Sequence, residues 1–478
     1  MSPPRSEFSP APAQRIFCNR TINMRSIHAV GFDMDYTLVH YEVSAWEERA
    51  FHHTQRLLAS RGVPVTELHF DPAAFTRGLI IDTKLGNIVK ANRFGYVTKA
   101  AHGMRMMPHD LQRKAYSQVW VDLSDSRWIF LNTLFSLSEA CLYAQIVDMH
   151  DRGALLPSTD YQSIYRLVSD AMNSAHLEGA LKADIIADPD RFVVRDPELP
   201  RALLDLKHSG KKLFLVTNSE WHYTLPMMSW AFDRHLPSGS WRDLFDLVIV
   251  QSRKPSFFDG KNSFDEVLDD SGATRPLAGP LQKGRSYRGG NAQLVQEWLE
   301  LPGEEILYVG DHVYADVHVS SQIHRWRTAL IIRELEAEVA AETAFAQTQK
   351  TLHLSMQKKD FLDQEQAALR LALQRLEYGE LLPLHIHGPA STIHERLRML
   401  RIESTALDAQ LAPLAKASGE LGNTRWGPLM RAGNDKSRLA RQIERHADVY
   451  TGRVANLLHL TPFGYLRAAR GSLPHDAS

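Results

Sequence analysis

Cysteine is nearly missing from this chain of 478 residues: Cys18 and Cys141 are the only two, far apart and in no CxxC pattern. That argues against a disulfide framework or a cysteine-built zinc site, and for a reducing, cytoplasmic setting. An excess of charge is lacking too, since 55 Lys+Arg stand against 56 Asp+Glu for a net charge of -1. A nucleic-acid polymer would call for a basic surplus, so none is expected as a partner. No apolar run approaches a membrane span, and the opening MSPPRSEFSPAPAQ has no apolar signal-peptide core. The expectation is a soluble protein without a membrane partner, with residues 1–20 as a flexible tail.

What the sequence does have is one pattern, repeated. IHAVGF, KLFLVT, FDLVIV and EILYVG are short apolar runs that break off into polar residues, and WRTALIIRE follows as a fifth. Near-continuous apolar runs separated by helical stretches predict an α/β fold with a Rossmann-like parallel sheet covered on both faces. In such sheets the ligand lies beyond the carboxyl ends of the strands. DMD, TNS, RKP and GDHVYAD stand there. Residues 41–205, between the first and second runs, are too many for an ordinary connection and read as an inserted cap that sets substrate specificity. The catalytic core then comprises 21–40 and 206–335. Beyond it, DQEQAALRLALQRLEYGELL and STIHERLRMLRIESTALDAQLAPL space apolar residues three and four apart, as at Leu369, Leu373 and Leu376. Residues 336–478 therefore read as a C-terminal helical region packing on the core or on a partner subunit.

The stretch GFDMDYTLVHY, residues 31–41, sets Asp33 and Asp35 one residue apart at a strand exit. Crowded carboxylates are costly unless a cation or a proton separates their charges. Magnesium suits them, because it takes oxygen ligands and keeps waters for a substrate phosphate. A calcium loop does not fit, since Leu38 occupies the sixth position where a glycine is needed. One carboxylate can attack phosphorus while its neighbour protonates the leaving alcohol. Asp33 is assigned the attack and Asp35 the proton transfer. Thr217 and Asn218 offer a hydroxyl and an amide to phosphate oxygens, although TNS alone is also an ordinary turn. Lys254 in SRKPSFF would neutralise the transferring group. Asp311 in GDHVYAD is the natural further magnesium ligand, and Asp316 would orient Lys254 or a metal-bound water. Each signal is weak singly, and four of them at successive strand ends all suit one reaction.

With these motifs in this order, the chain resembles the haloacid-dehalogenase-like hydrolase superfamily. FDMDYTLVHY, RGLIIDTKLGNIVKA, LNTLFSLSEACL, TNSEWHYT, RKPSFF, YRGGN and VGDHVYAD narrow the resemblance to the cytosolic purine 5′-nucleotidase family, the IMP/GMP-preferring type. The resemblance implies magnesium-dependent hydrolysis of nucleoside 5′-monophosphates through an aspartyl phosphate, by a homo-oligomer, dimer or tetramer. It implies that the carboxylate of Asp33, the backbone carbonyl of Asp35 and Asp311 hold magnesium, and that Thr217, Asn218 and Lys254 hold phosphate. It puts Phe135 against the base and His176 and Asn173 near the nucleoside. Around the base the match is less faithful: Ser136 replaces asparagine, Asn173 aspartate and Ser169 arginine, and Ser321 and Gln322 stand where lysines of an effector site are expected. Other readings are a phosphatase or phosphotransferase for another metabolite, or a non-catalytic nucleotide-binding protein. Against the last, Asp33, Asp35, Thr217, Lys254 and Asp311 are all intact.

Overall fold

The computed structural model describes residues 9–156, 158–177, 179–383 and 385–471. The five apolar runs form parallel strands: β1 (Ala29–Phe32), β2 (Lys212–Val216), β3 (Leu247–Val250), β4 (Ile306–Gly310) and β5 (Arg327–Ile331). They lie side by side in the order β5-β4-β1-β2-β3. Every residue of β1, β3 and β4 is buried, as strands covered on both faces must be. They are the centre of a ten-stranded sheet. Beyond β3 come Arg285–Gly289, parallel, then Phe264–Val267 and Thr274–Pro276, antiparallel. Beyond β5 come Val449–Thr451, parallel, and Phe17–Cys18, antiparallel.

The packing of this sheet explains one residue of the opening motif. Phe214 of β2 and Tyr308 of β4 flank β1 and pack with Phe258 and Trp326 in a buried aromatic cluster. A Cβ at Gly31 would stand 2.4 Å from the Phe214 ring and 2.8 Å from that of Tyr308. Only glycine leaves room for both rings, and an alanine there would cost about 1–3 kcal/mol by overpacking.

Between β1 and β2 the chain builds a second sheet. It leaves through the strand His40–Tyr41 and returns through Val193–Val194, which pair antiparallel. Inside this detour stand helices α1 (Val43–Ser60), α2 (Leu137–Asp151) and α3 (Tyr161–Leu177). With them is an antiparallel five-stranded sheet in the order Arg105–Met106, Val97–His102, Asn87–Ala91, Ile80–Asp82, Trp128–Phe130. Helix α4 (Trp221–Phe232) follows β2.

Residues 337–428 form a separate compact unit. Its substance is two long helices, α5 (Leu335–Glu377) and α6 (Ala390–Gly419), which bury Leu362, Leu369, Leu397, Leu400 and Leu407 among their own apolar residues. The expected helical region 336–478 is thus too long: from Leu429 the chain belongs to the first unit again. The anchor is Asp448, which accepts from the Thr328 N–H at 2.8 Å and from Arg20 at 2.5 Å and so delivers Val449–Thr451 to the edge of β5. The expected tail 1–20 is likewise too long, because Phe17–Cys18 pair with that same strand; residues 1–8 lie outside those described. Among the described residues no helix is long and apolar enough to cross a membrane.

Candidate active site

The sheet register brings four chain segments to one place. Asp33 directly follows β1, and its N–H donates to Val309 of β4 at 2.9 Å. Thr217 follows β2 and donates its N–H to Ile249 of β3 at 2.9 Å. Lys254 lies four residues past β3, and Asp311 directly after β4.

At the centre is a buried ion cluster. Lys254 Nζ lies 2.7 Å from Asp33 Oδ1 and 2.7 Å from Asp316 Oδ1, and donates to the Tyr308 hydroxyl at 3.3 Å. Asp33 Oδ1 also accepts from the Met34 N–H at 2.8 Å, which leaves Oδ2 uncommitted among the described residues. The second oxygen of Asp316 takes the His312 N–H at 3.1 Å, so both its oxygens are in use. Gly310 makes this approach possible, since a Cβ there would stand 2.5 Å from Asp316. One carboxylate oxygen each of Asp33, Asp311 and Asp316 lie within 4.8 Å of one another. Asp311 Oδ2 is buried and has no hydrogen-bond partner among the described residues.

Three buried carboxylates thus surround one ammonium, and the acidities follow. Burial pushes Asp33 well above the ordinary carboxylate range; Lys254 opposes this, while the charges of Asp316, Asp311 and Asp35 reinforce it. Burial raises Asp311 to about 7 against the pull of Arg77. Burial alone would lower Lys254, but Asp316 and Asp33 outweigh it and keep the ammonium charged well beyond the usual lysine range. Such an excess of negative charge favours a cation. The orphaned oxygen of Asp311 and the uncommitted one of Asp33 are the hard donors that a magnesium ion takes.

The other expected residues divide into those the fold gathers here and those it does not. Asp35, half-buried, has both carboxylate oxygens engaged: Oδ1 accepts from Tyr41 at 2.5 Å and Oδ2 from Ser219 at 2.8 Å. Only its backbone carbonyl is then left for a metal. Thr217 is fully buried and receives the Ser219 N–H at 3.0 Å. Asn218 binds the neighbouring loop, accepting from the Lys254 N–H at 2.6 Å and the Ser252 hydroxyl at 3.0 Å, and so fixes the turn that carries the lysine.

Phe135 lies in the detour, its ring edge-on to Tyr36 at 4.6 Å and to Trp46 at 4.8 Å. Asn173 is exposed on α3, and the side chain of His176 lies outside those described. Ser169 and Tyr165 stand beside Glu139, a half-buried carboxyl group that desolvation raises above its ordinary value.

Sequence reasoning missed Arg77. Only 2% exposed, it donates to the backbone carbonyl of Asp311 and, through Nε, to that of Asn132 at 2.8 Å. The signal was a lone arginine in TRGLIID, directly ahead of a run that becomes a buried strand. Tyr41 and Ser219 were missed as well, although both stand inside quoted motifs.

The family model described as the 5′ nucleotidase family matches residues 16–478. A 5′-nucleotidase domain-containing protein of Dictyostelium discoideum is 28% identical over 477 residues, spanning 97% of this chain and 75% of its own. The 5′-nucleotidase domain-containing protein 2 of Homo sapiens is also 28% identical over 477 residues, spanning 97% of this chain and 85% of its own. Among solved structures, an archaeal beta-phosphoglucomutase from Pyrococcus sp. strain ST 04 aligns over 64% of this chain and 87% of its own, at 12% identity and a TM-score of 0.30. That likeness is too distant to bear on the site.

Proposed function

The chain belongs to the 5′ nucleotidase family and is a phosphoric monoester hydrolase, and we propose that it hydrolyses nucleoside 5′-monophosphates, IMP- and GMP-like purine nucleotides foremost, through an aspartyl phosphate. What supports this reading is the cluster of Asp33, Asp311 and Asp316 beside a charged lysine, with Asp33 Oδ2 and Asp311 Oδ2 uncommitted among the described residues.

In this account Asp33 attacks phosphorus through one carboxylate oxygen, forming the new P–O bond as the bond to the nucleoside oxygen breaks. Asp35 supplies the proton that the leaving oxygen takes up. Asp35, now ionised, removes a proton from water, which attacks the phosphorus and frees Asp33. Lys254 balances the charge of the phosphoryl oxygens, and Asp316 holds it there. Thr217 and the backbone of its turn offer further donors, while Asn218 keeps the lysine loop in register with them. Asp33, Asp311 and the carbonyl of Asp35 would hold magnesium, which supplies Lewis-acid stabilisation of charge building on the phosphoryl group.

The test is phosphate release from a panel of nucleoside monophosphates and sugar phosphates, with magnesium and with chelator. Release from IMP or GMP that the chelator abolishes is expected. Release confined to other esters would overturn the substrate and leave the chemistry. Release indifferent to chelation would overturn the metal assignment.

A further inference from the structure

We propose that Tyr41 is a positioning residue for proton transfer, holding Asp35 by one oxygen so that the other faces the leaving group. The proposal rests on the reading of Asp35 as the acid and base of the hydrolysis. Three side chains reach that carboxylate or its neighbour. Tyr41 donates its hydroxyl proton to Oδ1 at 2.5 Å, Ser219 donates to Oδ2 at 2.8 Å, and Tyr223 donates to the Tyr41 oxygen at 2.9 Å. With Asp35 ionised the direction of this chain is fixed, because a carboxylate only accepts: Tyr223 gives to Tyr41, and Tyr41 gives to Asp35.

The two donors to Asp35 differ in how easily they let go. Tyr41 and Tyr223 are each 2% exposed. The Tyr41 ring packs edge-on to Tyr36 at 5.2 Å and lies 6.0 Å from Trp46. Its hydroxyl position is therefore set by the packing of a large ring, and its oxygen is already claimed by Tyr223. Ser219 has a single side-chain rotor, and turning it releases Oδ2 at small cost. Oδ1 is the anchored oxygen and Oδ2 the one free to exchange a proton with the substrate. A buried phenol needs some partner in any fold, and a purely structural Tyr41 would meet that need equally well. The difference is that the partner here is the proton-transfer group itself.

Tyr41 also belongs to the strand through which the chain leaves the core, paired with Val193 of the returning strand. The register of those two strands thus sets where the phenol stands, and through it the carboxylate.

The experiment compares the first-turnover release of alcohol by wild type, Tyr41→Phe and Tyr223→Phe, with magnesium, from two esters. One is a nucleoside monophosphate, whose poor leaving group needs a proton, and the other is p-nitrophenyl phosphate, whose leaving group does not. Tyr41→Phe should slow nucleoside release roughly 10- to 100-fold, part of the 10²–10⁴ that a positioned acid supplies. It should slow nitrophenolate release less than about threefold, with substrate affinity unchanged for both. Tyr223→Phe, which leaves the bond to Asp35 in place, should show the same selectivity at smaller size, and it serves if Tyr41→Phe does not fold. Equal loss on both esters, or none on either, would overturn the positioning role while leaving the hydrolase reading intact. A wild type that releases neither alcohol would overturn the hydrolase reading itself, and the role of Tyr41 with it.

Discussion

The ends of β1 to β4 and the surroundings of Phe135 meet the same demand, that buried charge find a partner, in different ways. At the strand ends one ammonium joins two carboxylates at 2.7 Å each, and burial raises Asp33 and Asp311 above the ordinary carboxylate range. In the detour the donors beside the buried Glu47 and the half-buried Glu139 are neutral among the described residues, the Ser138 N–H for one and Ser169 and Tyr165 for the other. Burial raises the carboxyl groups in both places. The first arrangement adds a charged lysine and open oxygen donors, which suits a cation and a phosphate, while the second offers neutral donors. The residues of the strand-end cluster inherit their placement from the sheet, whereas those around Phe135 depend on how separate helices pack.

Four substitutions sharpen that contrast, in descending order of effect. Asp33→Asn should abolish turnover, on the order of a thousandfold or more, because an amide cannot form the acyl phosphate; steady-state phosphate release measures it, and a near-normal rate would remove Asp33 from the nucleophile's role. Arg77→Met tests the joint between the two regions. It leaves the backbone carbonyls of Asp311 and Asn132 without their buried donor, and urea unfolding should register a loss of about 2–4 kcal/mol.

Glu47→Gln tests how the detour handles charge. Burial raises Glu47 from 4.5 to about 8, its Oε1 lacks a hydrogen-bond partner among the described residues, and its Oε2 accepts from the Ser138 N–H at 2.7 Å. Between those two values the folded state binds more protons than the unfolded chain, so this group subtracts stability as pH rises through the window and no further above it. The glutamine variant should match wild type near pH 5 and exceed it at pH 8 by on the order of 2–4 kcal/mol. Thermal melts at the two pH values decide this, and a gap independent of pH would contradict it. Ser136→Asn should have the smallest effect, several-fold at most, shifting the ratio of kcat/KM among bases without altering p-nitrophenyl phosphate turnover. An equal change on every substrate would take Ser136 out of base recognition.

Much of this was legible in the sequence for a physical reason. A strand buried on both faces must be apolar throughout, so IHAVGF or EILYVG announces itself, and the first polar residue after it marks the site. Strands with mixed faces gave no such signal. Arg285–Gly289 buries only Tyr287 of its five residues, and Val449–Thr451 is short and held by Asp448, 120 residues from its partner Thr328. The antiparallel sheet of the detour was hidden in turn-rich sequence such as TKLGNIVKANRFGY. Arg77 and Tyr41 escaped notice because their roles exist only in contact with Asp311 and Asp35, which they meet through folding of the detour rather than through spacing along the chain.

The central claim is that Asp33 becomes phosphorylated, and the most direct measurement traps it. Enzyme quenched in acid during turnover of a nucleoside monophosphate, then reduced with borohydride, should carry homoserine at position 33 in the mass spectrum of its peptides, and only when substrate was present. Phosphate release with Asp33 unmodified at every quench time, including in a slowed Asp35→Asn variant, would contradict the account.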